Sequence, residues 1–197
     1  LSVETKPTSI KIFHQMLHDF VKIRKNLSGI IYCLSRKETE EISLFLNSNG
    51  LNTIDYHAGK PPDYRRQAYD RFITEDGIIM VATIAFGMGI DKPNIRYVIH
   101  ASLPSSMEAF YQEIGRAGRD GNNSETLLFF NLSDFIVRQR MLFDGEESEV
   151  FKQIEYQRLK TLLGYCEATS CRRKALLSYF DQDVENCNNC DNCKKPP

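Results

Sequence analysis

Among its 197 residues the chain has no apolar run approaching the ~18 that would span a bilayer. Its opening, LSVETKPTS, lacks both the basic start and the apolar stretch of a secretory signal. An intracellular protein is therefore expected, cytoplasmic in a bacterium or nuclear in a eukaryote. A first residue of Leu rather than Met suits an excised piece. The formal net charge is only −1, so a polyanionic partner would have to be met by a local stripe of cations rather than a global positive field. No G-x-x-x-x-G-K-[ST] run and no Asp-Glu-x-His occurs, so the chain carries neither the usual lysine loop for nucleotide phosphates nor an acidic pair for magnesium. Gly59-Lys60 imitates part of that loop, but Ile54 and Pro61 stand where its other residues belong. Repeats and low-complexity tracts are absent apart from NCNNCDNC near the end.

What is present is an alternation. Short apolar runs, GIIYCL (29–34), LNTIDYH (51–57), GIIMVAT (77–83), IRYVIHA (95–101) and TLLFFN (126–131), are separated by helical patterns at 36–50, 62–74 and 105–117. Runs apolar on both faces and spaced by helices predict a parallel sheet in an α/β domain. From residue 132 the pattern becomes helix only. We therefore expect two domains, 1–131 with a helix-flanked sheet and 132–197 small and mostly helical. Open parallel sheets bind ligands beyond the carboxyl ends of their strands. Three such ends carry small or polar residues: Ser35 and Arg36, His57 with Gly59, and Thr83. Each suits an ordinary turn as well as an anion site.

QEIGRAGRDG (112–121) carries three glycines and two arginines. Ser105 with Glu108 reads as a capping box for the helix leading into it. Continuing that helix places Gln112, Arg116 and Arg119 in one stripe, with Phe110, Ile114 and Ala117 turned inward. Gly115 and Gly118, each costly by roughly 1 kcal/mol in a helix interior, suit a close approach to the backbone or a helix end. A planar guanidinium grips phosphoryl oxygens in pairs. The same residues also suit a solvated arginine face at a frayed end.

Six cysteines are present, and five of them, Cys166, Cys171, Cys187, Cys190 and Cys193, fall in the last part of the chain. CNNCDNC can converge three thiolates on one tetrahedral ion that needs a fourth ligand, from Cys171 or Cys166. Two disulfides are the alternative, weakened by the lack of a secretory signal. Cys33, inside an apolar run, reads as a small buried hydrophobe. Arg172, Arg173 and Lys174 suit either a nucleic-acid contact or a solvated helix face.

QEIGRAGRDG resembles motif VI of superfamily-two helicases in its RecQ form, and VATIAFGMGIDKP (81–93) resembles motif V. GIIYCLSRKETEE is similar to motif IV, and YHAGKPPDYRRQAYDRF to the stretch between. DEAD-type RNA helicases would show His-Arg-x-Gly-Arg-x-x-Arg instead. The resemblance implies the second RecA-like lobe of an ATP-dependent, 3'-5' DNA helicase, with the first lobe missing. It implies that Arg119 is an arginine finger, that Arg116 is its partner at the phosphates, and that Gln112 couples nucleotide state to lobe closure. Asp91 would face the same cleft. Ser35, Arg36, His57, Gly59 and Thr83 would meet the DNA sugar-phosphate backbone. A zinc-binding domain is implied, with Cys171 the better fit as fourth ligand beside Cys187, Cys190 and Cys193. ATP and magnesium would bind only with the first lobe, and single-stranded DNA and duplex junctions would be partners in repair and recombination. A zinc-bearing binding module without a motor, or an RNA helicase lobe, is the alternative.

Overall fold

The computed structural model describes residues 1–87 and 89–195; Met88 of the motif V stretch and the last two residues of the expected second domain lie outside these. In chain order the first part comprises β1 (Ser2–Thr5), α1 (Ile10–Lys22), β2 (Ser28–Tyr32), α2 (Arg36–Ser48), β3 (Thr53–Tyr56), α3 (Pro62–Thr74), β4 (Ile79–Ala82), β5 (Ile95–His100), α4 (Met107–Ile114) and β6 (Glu125–Phe130). The strands form one sheet in the order β1-β6-β5-β2-β4-β3. Every pairing among the described residues is parallel.

The apolar runs are continuous because both faces are covered, and the period of two sorts them. Ile31, Val81 and Ile99 face Phe13, Leu17 and Val21 of α1 and Ile42 and Leu46 of α2. Their neighbours Ile30, Met80 and Val98 face Ala68 and Phe72 of α3 and Phe86 of the loop after β4. Cys33 is buried within the first cluster, as a small hydrophobe would be.

After β6 come α5 (Leu132–Phe143), α6 (Glu149–Glu167), α7 (Arg172–Ser178) and α8 (Asp191–Lys194). These helices share a third cluster, in which Leu159, Leu162 and Leu176 pack on Met107 and Phe110 of α4 and on Leu128 of β6. The free edge of β1 is covered by the start of α8. The Val3 N–H donates to Asp191 Oδ2 at 2.9 Å, and the Asp191 N–H donates to the Leu1 carbonyl at 3.1 Å. An edge strand is thereby closed by a polar staple instead of a further strand.

Two features depart from the sequence reading. No element is assigned there to β1 or α1. In α1, Phe13, Leu17 and Val21 make a clear buried stripe and Ser9 caps the start, but Ile10 and Ile12 are exposed and blur it. The helix expected over 105–117 is shorter. Ser106, not Ser105, caps α4, its Oγ accepting from the Ala109 N–H at 3.2 Å, which leaves Glu108 one position short of a capping box. The helix ends at Ile114, and the chain turns through Gly115 to Gly118, whose φ of 68° is a left-handed conformation that glycine tolerates. The continuous stripe of Gln112, Arg116 and Arg119 therefore does not form.

Candidate functional site

The turn after α4 lies against the long loop between β4 and β5. Arg119 Nη1 donates to the Ile90 carbonyl at 2.9 Å and stands 3.5 Å from Asp91 Oδ1. Its Nε approaches the Gly115 carbonyl at 3.4 Å. The Arg119 side chain remains 40% exposed and that of Asp91 92%, so both lie at a solvent-facing surface. Arg116 lies deeper, against the beginning of the same loop. Its Nη2 is 3.2 Å from the position a Cβ would occupy on Gly87, so a side chain there would press on the guanidinium. Its Nε is buried with no hydrogen-bond partner among the described residues. The glycines of both segments thus bring backbone and guanidinium together.

Gln112 is exposed on another side. It lines a cleft of roughly 550 Å³ with Tyr111, Arg173, Leu176 and Leu177, between α4 and α7. No hydrogen bond joins it to either arginine among the described residues.

The other candidate residues gather at the carboxyl ends of β2, β3 and β4. Ser35 caps α2, its Oγ accepting from the Glu38 N–H at 3.1 Å. Arg36 reaches over Gly59, where its Nη1 is 3.0 Å from the site of an added Cβ. His57 is buried; its Nδ1 accepts from the Gly59 N–H at 3.1 Å, which leaves the proton on Nε2 to donate to Glu40 at 3.0 Å. Thr83 is held through its backbone, which donates to Tyr56 and accepts from Phe86. Lys60, the false phosphate-loop lysine, is paired with Asp55 at 2.6 Å and Glu40 at 2.7 Å. Glu40 and Asp55 carry no sequence signal for this role, because sheet topology alone brings α2, β3 and the following loop together.

At the far end of the chain, one sulfur atom from each of Cys171, Cys187, Cys190 and Cys193 lies within 4.8 Å of the others. Cys171 and Cys190 are separated by 4.0 Å. A tetrahedral zinc with about 2.3 Å bonds would set thiolates about 3.8 Å apart, whereas a disulfide needs about 2.05 Å. All six cysteines are free, so the pair of disulfides weighed above is not formed. Backbone N–H groups of Cys187 and Lys174 point at Cys171 Sγ, and that of Arg172 at Cys190 Sγ. Although burial opposes it, these donors bring the Cys171 thiol down to about 6, which favours the thiolate a metal requires. Cys166 sits apart in the helical core with Leu162 and Leu176, where burial pushes its thiol up to about 12.

Arg172 belongs to neither a nucleic-acid face nor a solvated one. It is buried, its Nη1 donating to the carbonyls of Tyr165 at 2.7 Å and Cys166 at 3.0 Å, and its Nε to Asp191 at 3.2 Å. An arginine between the cysteine cluster and an edge-strand staple is a structural clamp. Arg173 is exposed.

Residues 10–121 match the model of the helicase conserved C-terminal domain, and residues 132–194 match RecQ zinc-binding. The chain belongs to the helicase C-terminal domain family, in its RecQ form. An ATP-dependent DNA helicase RecQ of Haemophilus influenzae is 42% identical over 184 residues, covering 93% of this chain and 30% of the relative. The ATP-dependent helicase SGS1 of Saccharomyces cerevisiae is 42% identical over 195 residues, covering 96% of this chain and 13% of its own. This RecQ-type chain thus spans less than a third of either relative. Domain 2 of the DEAD-box helicase Mss116p, solved bound to an RNA duplex, superposes with a TM-score of 0.57 at 25% identity, covering 80% of this chain and 68% of that one. The RecA-like sheet is common to both, and the four-cysteine cluster matches the zinc-binding part of the RecQ pattern.

Proposed function

We propose that this chain is the C-terminal motor region of an ATP-dependent DNA helicase. In this reading residues 1–131 are the second RecA-like lobe and residues 132–197 a zinc-binding domain. The observation that supports it most is the seating of Arg116 and Arg119 on one loop, beside Asp91, with the Arg119 side chain partly open to solvent. Two preorganised guanidiniums and no lysine loop make one half of a phosphate site. Arg119 is the finger. Held by the Ile90 carbonyl, it presents its remaining donors to a γ-phosphate bound, with magnesium, by a preceding first lobe. Arg116 stands behind it at the phosphates. Gln112, which lines the cleft beside α7, helps couple nucleotide state to lobe closure.

The rim formed by Ser35, Arg36, Gly59 and Thr83 meets the sugar-phosphate backbone of single-stranded DNA entering from a duplex junction. Small residues and backbone N–H groups position a strand there without reading its sequence. His57, tied to Glu40 and Gly59, fixes that loop. Cys171, Cys187, Cys190 and Cys193 hold a structural zinc, which supplies cohesion and no open catalytic position. Unwinding would run 3'-5', and repair and recombination are the fitting roles.

The test is direct. The purified chain should show no ATP hydrolysis with or without DNA, while the full-length protein should hydrolyse ATP faster with single-stranded DNA than with single-stranded RNA. Hydrolysis by the chain alone contradicts the shared site, and preference for RNA contradicts the DNA reading. No helix among the described residues is long and apolar enough to cross a membrane.

A further inference from the structure

Arg116 raises a question that its own contacts leave open: what holds a guanidinium whose Nε has no partner among the described residues? The group beside it is Tyr32, the last residue of β2. Tyr32 is 3% exposed, yet its hydroxyl reaches out of the sheet and donates to the Phe86 carbonyl at 3.1 Å. Phe86 belongs to the same turn whose Gly87 admits Arg116. Burial raises the Tyr32 hydroxyl well above its usual range, and the nearby Arg116 charge opposes that rise.

The far side of the ring is also braced. His100, fully buried at the end of β5, stacks on Tyr32 with centroids 5.4 Å apart and planes 25° from parallel. His100 Nε2 pairs with Glu113 Oε2 at 2.6 Å, and Glu113 is on the last turn of α4, three residues before Arg116. The ring thus touches each end of the device: the loop through its hydroxyl, the α4 turn through His100 and Glu113.

We propose that Tyr32 is a positioning residue that keeps Arg116 and the 84–87 turn in register for nucleotide phosphates. This rests on the reading that Arg116 serves those phosphates. Tyr32 touches no substrate. It acts because a displaced guanidinium loses rate far out of proportion to the displacement; about 1 Å can cost roughly a hundredfold.

Tyr32→Phe keeps the ring, its stacking on His100 and its volume, and removes only the hydroxyl. In the full-length protein with saturating single-stranded DNA, kcat for ATP hydrolysis should fall about tenfold, with KM for ATP and the Kd for DNA within about twofold. A double-mutant cycle with Arg116→Ala completes the test. If Tyr32 acts through Arg116, adding Tyr32→Phe to Arg116→Ala lowers kcat no further. Additive losses would assign Tyr32 to general stability and overturn the inference. So would an unchanged kcat in Tyr32→Phe alongside a large loss in Arg116→Ala, which leaves the phosphate role standing. Full activity in Arg116→Ala would remove that role itself and the inference with it.

Discussion

In the sheet, Ile30, Ile31, Ile79, Val81, Val98 and Ile99 have no solvent exposure and lie between helices on both faces. In the C-terminal helices, α5 buries only Phe135, while Leu132, Val137 and Met141 stay exposed, as do Val150, Phe151 and Ile154 of α6. The first region holds together by apolar area. The second has a thin apolar core and is gathered by polar devices: four converging thiols, the buried Arg172 and the Asp191 staple on β1. Small domains often replace missing core with such cross-links. Because Asp191 lies between two of the cysteines and also bonds β1, the cysteine loop and the sheet edge are mechanically one unit.

Removing the metal should separate the two regions most sharply, since structural zinc sites contribute roughly 10–16 kcal/mol of folding free energy in small domains. Chelation should abolish amide-exchange protection in α7, α8 and at Val3, leaving β2, β4 and β5 protected; simultaneous loss in β2 would refute the division. Phe72→Ala acts on the other side. It empties a fully buried site under the sheet and should cost about 4 kcal/mol by denaturant unfolding, with metal content unchanged. Arg172→Met should cost about 2 kcal/mol by taking away the donor to the buried Cys166 carbonyl and the bond to Asp191, and should speed metal release without shifting the sheet's own transition. The smallest effect is electrostatic. Arg96 Nη2, 2.6 Å from both carboxylate oxygens, and then Asn122 hold the Asp120 carboxyl at about 2. Because the folded value is depressed, the pair's stabilisation is complete above the unfolded value of ~3.9 and is lost as pH falls through about 2. Urea midpoints of Asp120→Asn should be flatter than the parent's across that window.

Much of the sheet was readable because its strands are buried on both faces and its helices carry one apolar stripe each. Ile30 and Ile31, or Val98 and Ile99, look alike in sequence yet end on opposite faces, which only the pleat decides. β1 escaped because four residues, two half-buried and two exposed, carry no pattern and its partners, Leu127 to Phe130, are over a hundred residues away. The run from Gln112 to Arg119 was found as a motif but misjudged as geometry. Propensity and spacing extend the helix, whereas the chain leaves it at Ile114 and turns through Gly115 to Gly118, which takes the two arginines to the β4–β5 loop. Cys171 was distinguishable from Cys166 only through resemblance; both are buried, and the structure separates them by position, Cys171 in the four-cysteine cluster and Cys166 in the helical core. Tyr32, His100 and Glu113 gave no signal, since three buried polar residues on separate elements become a group only when folded.

The central claim is that Arg119 completes a nucleotide site from this side of the cleft. The most direct measurement is DNA-stimulated ATP hydrolysis by the full-length protein carrying Arg119→Ala, with ATP and DNA affinity followed in parallel. Loss of an arginine finger should lower kcat by about 10³-fold or more while both affinities stay near those of the parent. A kcat within about twofold of the parent would contradict the account, because a finger that acts on the transition state cannot be removed at so little cost.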